Sequence, residues 1–369
     1  MNIEQIKVWD HTATFKEGSY ANAQLKKKTT RSRVVEIDTG EDWTGYGEVV
    51  FPFALSPEAQ EKVIEEEVVY LPSLLGGNVD CLMSAATQLR ARERHWSSVA
   101  FALETAWYDF EGKRQKVALW SLLNCYFSNN VLPYRSISLS GEDELRDRLR
   151  LKPEHEKIIQ LKLINRSWTD DMARITQILD HHPRIDMLLA DANGKWSVSQ
   201  ACEIISRFRD PRIIWEEPCA TYLENAEVEK ITGQSIMVDQ SVGDLAVAER
   251  AVCEGAVSAI TVKPAYLGGL STARYLLDRC VEKGVRVRVD GPWCGGIGAA
   301  AVLHLAAGVE QELLIASCDL QGPLDSPAML RGAVELPDGK ITPPPGPGLG
   351  LRNHSLEDIL GRPEAIYSI

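Results

Sequence analysis

Three apolar runs of the sequence end on carboxylates. MLLAD ends on Asp191, IIWEE ends on Glu216 and Glu217, and SIMVD ends on Asp239. Carboxylates that lie close together repel one another unless a cation neutralises them. Three carboxylates, completed by water or substrate oxygens, form the hard octahedral site that suits Mg2+. The pattern therefore predicts Mg2+ as cofactor, with the neighbouring Asn193 orienting one carboxylate from behind.

Other runs of the same kind end on lysines. IIQLK ends on Lys162 and AITVK ends on Lys263, while VRVRVD ends on Asp290. A substrate carboxylate held on the metal would place its α-carbon between the two amines. A lysine near a metal and other cations can have a depressed pKa and act as a base. The metal would stabilise the enolate that forms when the α-proton leaves.

Each of these residues also has a purely structural interpretation. A single Asp at the end of a strand often caps the helix that follows it. A single lysine on a buried strand usually pairs with an acid or extends its amine to solvent. The joint pattern, with acids and lysines at consistent strand ends, favours the catalytic interpretation.

The elements that must position these residues alternate regularly. Strand-like runs are separated by amphipathic helical stretches at a spacing of roughly 25 residues, which predicts βα units and a parallel sheet. Eight units predict a closed (β/α)8 barrel, whose active sites lie where the strands end. A doubly wound open sheet is the alternative, but no GxGxxG follows the first strand. The eight predicted strands are YRSISLS, IIQLKLI, IDMLLAD, RIIWEE, SIMVD, AITVK, VRVRVD and LLIAS.

The pattern of predicted strands, helices and loops divides the chain into three parts. Residues 1–96 combine short strands with helices and predict an α+β capping domain. Residues 97–331 carry the βα alternation and predict the TIM-type barrel. Residues 332–369 are rich in loops and follow neither pattern.

These motifs resemble the enolase superfamily, in the branch of mandelate racemase and muconate lactonizing enzyme. LLADANGKW, IIWEEPC and IMVDQS are similar to the three metal-binding strands, TVKPAYLGGLSTAR to the strand of the second lysine, and PPGPGLGL to the closing segment. The resemblance covers nearly the whole chain and implies that residues 332–369 return to the capping domain. It implies Asp191, Glu216 and Asp239 as metal ligands and Lys162 and Lys263 as the catalytic pair.

Two positions depart from the pattern of this branch. Gln160 stands where the branch usually has the first lysine of a Lys-x-Lys motif, so the base at Lys162 keeps no cationic neighbour there. Gln240 follows Asp239 where the branch usually has a glutamate that contacts the strand-six lysine. The second departure leaves the charge state of Lys263 open.

Within the branch, Gln-x-Lys, EEPCATYLEN and VDGPWCGG most resemble the hydroxyproline subgroup, which includes cis-3-hydroxy-L-proline dehydratases and hydroxyproline betaine epimerases. Its members place an aromatic segment like that of Trp293 where a ring or cationic nitrogen could pack.

The segment ASCDLQGPLD resembles dipeptide epimerases, although only Asp319 remains of their two acids. Tyr20 belongs to the loop FKEGSYANAQ, part of which we expect to form a mobile lid. Asp290, at the end of the run VRVRVD, is a further residue that we expect to contact the substrate or its neighbours.

The resulting hypothesis is a lyase or epimerase that removes the α-proton of an amino-acid or proline derivative. The alternatives are a dipeptide epimerase or cycloisomerase on the same scaffold, and a catalytically silent ligand-binding barrel. The net charge of −12 argues against nucleic acid or an anionic membrane as partner. The charged N-terminus and eight scattered cysteines predict a cytoplasmic protein without a secretory signal. We expect a homo-oligomer.

Overall fold

The computed structural model describes residues 1–22, 25–92, 94–123, 127–138, 156–163, 167–327, 330–351 and 355–369. Its first part is an antiparallel sheet of the strands Gln5–Phe15, Thr29–Asp38 and Thr44–Val50. Two α-helices, Pro57–Tyr70 and Cys81–Arg90, accompany that sheet. A 3-10 turn at Leu71–Leu74 lies between them, and a second at Arg94–Trp96 precedes the helix Ser97–Gln115. Short ribbons pair Tyr20–Ala21 with Lys26–Lys27 and Val334–Glu335 with Ile341–Thr342.

The second sheet is a barrel of eight parallel strands in sequence order. A parallel bridge between Pro133 and Ser317 joins the last strand to the segment that leads into the first, and the Ser317 amide donates to the Leu132 carbonyl at 3.1 Å. The predicted (β/α)8 barrel and its α+β cap are thereby confirmed. The strands are Tyr134–Ile137, Ile158–Lys162, Met187–Asp191, Ile213–Glu216, Ile236–Val238, Ala259–Val262, Arg286–Val289 and Leu314–Ser317. Of the predicted first and second strands, residues 139–140 and 164 lie outside the described residues.

Several helices around the barrel begin at short polar side chains that accept backbone N–H groups. Ser197 and Thr221 each form a capping box with the Gln or Glu three residues later, and Asp244 accepts two amides of its helix. Several helices end at a glycine in the left-handed region. The helices are Ser97–Gln115, Leu119–Leu122, Trp168–His181, Val198–Ile205, Tyr222–Thr232, Leu245–Glu254, Pro264–Leu267, Leu270–Lys283, Gly296–Ala306 and Leu356–Leu360.

The alternation of side chains along each strand separates the barrel interior from the layer under the helices. Ile158, Leu189 and Ile214 belong to one apolar cluster, whereas Ile159 and Leu188 belong to another. Ile158, Leu189 and Ile214 point into the barrel. The residues two positions later on the same strands also point inward, and they lie at the end of the barrel where the strands finish. This set consists of Gln160, Asp191 and Glu216, with Asp239 following Met237 in the same way.

Two carboxylates from outside the barrel hold the first turns of barrel helices. Glu48 of the cap accepts the backbone N–H groups of Gly295 at 2.6 Å and Gly298 at 2.8 Å. Glu104 of helix Ser97–Gln115 accepts the amide of Ser271 at 2.9 Å. A Cβ at Gly269 would lie 1.5 Å from Glu104 Oε2, which explains the glycine at this point of the LGGLS motif. Carboxylates at helix N-termini are favoured by the helix dipole, so both contacts fix loops that border the barrel mouth.

The chain returns to the cap sheet twice after the last barrel strand. Leu324–Asp325 pairs with the end of the first cap strand, and Ala365–Ser368 pairs antiparallel with its beginning, with Ser368 opposite Gln5. The domain boundaries at residues 96 and 331 stay a prediction. Among the described helices, none combines the length and apolar character needed to cross a membrane.

His304 is a buried titratable group on helix Gly296–Ala306. It is fully buried, its Nε2 donates to the carbonyl of Leu349 at 3.2 Å, and its Nδ1 has no hydrogen-bond partner. Burial lowers the pKa of His304 to about 4. The imidazole therefore stays neutral in the folded protein near pH 7, and it ties the closing segment to the barrel.

The unfolding free energy should depend on the protonation of His304. Between pH 6.5, the ordinary pKa of histidine, and pH 4, the unfolded chain binds a proton that the folded chain does not. Stability is therefore lost as the pH falls through this window, by about 2 kcal/mol between pH 7 and pH 5 from this one group. In His304→Gln, which keeps an N–H donor for Leu349, the loss measured by urea unfolding at the two pH values should be smaller by that amount. Equal losses in both proteins would contradict the assignment.

Candidate active site

The predicted site residues of neighbouring strands lie side by side. Lys162 is the register partner of Asp191, and Asp191 is the register partner of Glu216. Glu216 pairs with Met237, two residues before Asp239. All three acids are buried. The helices that follow their strands are capped by the side chains of Ser197, Thr221 and Asp244. Asp239 directly precedes the 3-10 turn Gln240–Val242, but its side chain makes no capping hydrogen bond. The side chains of the three acids therefore do not serve as helix caps.

Each predicted catalytic lysine is held by a different acid. Lys162 Nζ donates to Asp191 Oδ2. Lys263 Nζ lies 2.6 Å from Oδ1 and 2.9 Å from Oδ2 of Asp239. Burial by itself lowers the pKa of each lysine, but the facing carboxylate raises it more, so that both pKa values lie above the ordinary one. Facing these carboxylates, both lysines are ammonium ions rather than bases with a depressed pKa.

Glu216 is held by an arginine that sequence reasoning missed. Arg288 donates through both terminal nitrogens, at 2.7 Å to Oε2 and 2.6 Å to Oε1, and Gln160 Nε2 donates to Oε2 at 2.7 Å. Burial alone would raise the pKa of Glu216, but Arg288 and Lys162 lower it to about 2. The signal was present in VRVRVD, because strand alternation places Arg288 on the same inward face as Asp290.

Asn193 lies against Asp191, as the sequence predicts. Its backbone N–H donates to Asp191 Oδ1 at 2.8 Å and its side-chain amide donates to Oδ2 at 3.0 Å. A positive φ of 51° turns the chain back to make this contact. Burial, followed by the charge of Glu216, raises the pKa of Asp191 to about 6. Asn193 Oδ1 is buried and receives no hydrogen bond.

The second glutamate of the IIWEE run supports the backbone. Glu217 has a positive φ of 43° and accepts the N–H groups of Asp239 and Ser241, the latter at 3.2 Å. Its other oxygen accepts the side-chain amide of Asn225 at 2.7 Å. Burial raises the pKa of Glu217 to about 8. This carboxyl group therefore fixes the loop that carries Asp239, which leaves Glu216 as the strand-end carboxylate directed into the barrel.

A hydrogen-bonded chain links the predicted lid to the site. The Tyr20 hydroxyl lies 2.8 Å from Ser136 Oγ, which donates to Gln160 Oε1 at 2.7 Å. On the other side, the Tyr134 hydroxyl donates to Asp290 Oδ2 at 2.8 Å. Of the predicted lid, residues 23 and 24 lie outside the described residues, and the lid role stays a prediction.

A cavity of about 750 Å³ opens beside this chain of contacts, within the size range of small-molecule sites. Trp293 lines it together with Tyr20, with ring centroids 5.2 Å apart. Asp319 also lines the cavity, but both of its oxygens accept N–H groups of Arg331. Gln240 is exposed, and no described hydrogen bond or ion pair connects its side chain to the other predicted site residues.

The donor set fits Mg2+ in its chemistry. Asp191, Glu216 and Asp239 present hard oxygen atoms from three consecutive strands, and the buried Asn193 Oδ1 beside them has no hydrogen-bond donor. Each carboxylate faces a protein cation, however, and no three His, Cys, Asp or Glu side chains in the described part of the chain are grouped to hold an ion. To hold Mg2+, the three carboxylates would have to turn away from those cations and toward one another.

Comparisons with known proteins agree with this architecture. The family model of the enolase C-terminal domain-like fold matches residues 144–355. A cis-3-hydroxy-L-proline dehydratase of Roseibium aggregatum is 27% identical over 380 residues and covers all of both chains. A hydrophobic dipeptide epimerase of Enterococcus faecalis is 25% identical over 91% of this chain and 95% of its own. A member of the enolase superfamily from Roseovarius nubinhibens ISM, solved in complex with magnesium, is similar with a TM-score of 0.85, 26% identity and full coverage of both chains.

The matched family segment spans more than half of the 369 residues and contains seven of the eight barrel strands, all but Tyr134–Ile137. The homologues are named as lyases and isomerases, and the cap and barrel are those of their solved relatives. The chain therefore belongs to the enolase superfamily, in the branch of mandelate racemase and muconate lactonizing enzyme, and is an enzyme of that branch.

Proposed function

We propose that this enzyme removes the α-proton of a small carboxylate substrate, with Lys162 and Lys263 as the acid–base pair. The proposed reaction is dehydration of cis-3-hydroxy-L-proline or epimerisation of a proline derivative. One observation carries the proposal: the buried amine of Lys162, on strand two, and the partly buried amine of Lys263, directly after strand six, are held by two different acids of the same barrel mouth. The full-length similarity to a cis-3-hydroxy-L-proline dehydratase supports the substrate class.

Asp191, Glu216 and Asp239 are the proposed ligands of Mg2+. When bound, the ion would supply a Lewis acid that draws electron density from a substrate carboxylate and makes the α-proton more acidic. The carboxylates also control the lysines directly. Neutralising Asp191 or Asp239 removes the interaction that raises the pKa of the facing lysine. The amine then loses its proton more readily, so that a larger fraction of it is the free base near neutral pH.

Two amines on opposite sides of a substrate suit both proposed reactions. In cis-3-hydroxy-L-proline the α-proton lies on the ring face opposite the hydroxyl, so loss of water is an anti elimination. One lysine takes the α-proton while the other donates a proton to the departing hydroxyl, and the resulting enamine becomes a cyclic imine. In an epimerisation the second lysine instead returns a proton to the opposite face of the α-carbon.

The cavity favours a compact cationic substrate over a dipeptide. Trp293 and Tyr20 form an aromatic wall, against which a ring or an ammonium nitrogen can pack. A dipeptide epimerase needs a free acid for the substrate amino group. Asp319 is the candidate in this chain, but Arg331 already neutralises it with two N–H donors. The dipeptide alternative is therefore less well supported.

Activity should require a divalent metal. Chelation should abolish turnover of cis-3-hydroxy-L-proline or of its betaine, and Mg2+ should restore it. Asp191→Asn and Asp239→Asn should each lower turnover by about a hundredfold or more, because each removes one charge from the ligand set. Asp278→Asn, at an exposed ion pair on helix Leu270–Lys283, serves as control and should keep full activity. Full activity after exhaustive chelation would refute the metal assignment.

Both lysines should be needed for turnover. Lys162→Ala and Lys263→Ala should each lose at least about a hundredfold in turnover, the lower range for a positioned acid or base. The variant that keeps the base for the α-proton should still exchange that proton with D2O, as followed by NMR. Lys283→Ala, at an exposed lysine at the end of a barrel helix, is the matched control.

The same experiment separates the two reactions. With cis-3-hydroxy-L-proline in D2O, a dehydratase forms the cyclic imine, and an epimerase places deuterium at the α-carbon of the inverted isomer. Unchanged turnover in either lysine variant would rule out the two-lysine mechanism and leave a one-base enzyme or a binding protein.

A further inference from the structure

Arg288 belongs to the strand-end cluster, but the proposed chemistry gives it no role. It lies on the seventh barrel strand and is 1% exposed. Its guanidinium carbon lies 5.2 Å from the centre of the Tyr134 ring, and its Nε lies 3.5 Å from Asp290 Oδ2. An arginine is charged at every physiological pH, so a full positive charge is permanently fixed inside the mouth of the barrel.

The contacts of Arg288 saturate much of Glu216. Oε2 accepts two N–H groups, from Arg288 and Gln160, and Oε1 accepts one from Arg288. Since a carboxylate oxygen has about two lone-pair positions, only one position remains free, on Oε1. An ion at that position would lie beside the guanidinium charge and be repelled by it. Glu216 can therefore bind a divalent cation well only after Arg288 has moved away from it.

The charges of the mouth lead to the same conclusion. Among the described side chains of the strand-end cluster, four acids face three cations, which leaves a net charge of −1 when all seven are ionised; removing Arg288 would leave −2, which one divalent cation balances. The acids are Asp191, Glu216, Asp239 and Asp290, and the cations are Lys162, Lys263 and Arg288. Arg288 thus supplies positive charge at the site proposed above for the metal ion.

We infer that Arg288 is a positioning residue that competes with the divalent cation for Glu216 and thereby weakens the affinity of the site for Mg2+. The inference rests on the metal assignment proposed above. It predicts that this enzyme binds Mg2+ less tightly than the same barrel without the guanidinium, and that Glu216 has two arrangements, one on Arg288 and one on the metal.

Isothermal titration of the full-length protein with Mg2+, and separately with Mn2+, tests this competition. Arg288→Met removes the charge with little loss of volume and should lower the Kd for either ion by about tenfold or more. Arg288→Lys keeps the charge but not the paired donors, and its Kd should lie between that of the wild type and that of Arg288→Met. Arg33→Met is the matched control, because Arg33 is an equally buried arginine that pairs with Glu67 in the cap. Its Kd should equal that of the wild type.

The outcomes separate this inference from the proposed function. If wild type and Arg288→Met both bind with the same Kd, Arg288 is not a competitor while the metal assignment stands. If neither binds, the inference and the metal assignment are both wrong. A crystal structure of the wild type with Mn2+ gives a test that needs no variant. Glu216 on the ion with Arg288 moved away supports the inference, and Glu216 on the ion with both Arg288 hydrogen bonds intact overturns it.

Discussion

The crowding of carboxylates at one end of the barrel is the constraint on which the rest of the site depends. Parallel strands that finish at the same mouth bring their last inward side chains together, and four of these are acids. Buried like charges are tolerated only with partners of opposite charge. Lys162 and Lys263 meet this requirement for two acids and Arg288 for a third. The upper layer of the barrel is therefore an ionic network, while the layers below it are apolar.

A second set of carboxylates holds the frame of the site in place. Glu48 and Glu104 accept the amides of the first turns of two barrel helices, and Glu217 accepts the amides that follow the fifth strand. Each acts on the backbone, so each fixes a loop beside the proposed site. The cap contributes to this frame through Glu48, and it also contacts the site through the side-chain hydroxyls of Tyr20 and Ser136.

The sequence was sufficient for the barrel and for the strand-end positions, because apolar runs, helical periods and alternation are local properties. It could not assign the pairings. Which cation faces Glu216 depends on distances across the barrel, and Arg288 reaches it from the seventh strand. The same limit applies to Gln240, which follows Asp239 in sequence but lies in a 3-10 turn with its side chain exposed. Alternation alone placed Arg288 inward, so its presence in the mouth was predictable even though its partner was not.

The three proposed ligands differ in what holds them, and this difference bears on catalysis. Glu216 is fixed by a guanidinium and an amide, neither of which is proposed to exchange protons. Asp191 and Asp239 are instead held by the two lysines proposed to exchange protons with the substrate. Whatever neutralises Asp191 and Asp239 also releases these lysines and lowers their pKa. Under the proposed mechanism, assembly of the metal site would therefore also activate the two lysines, because an amine that is still bound to its carboxylate stays protonated.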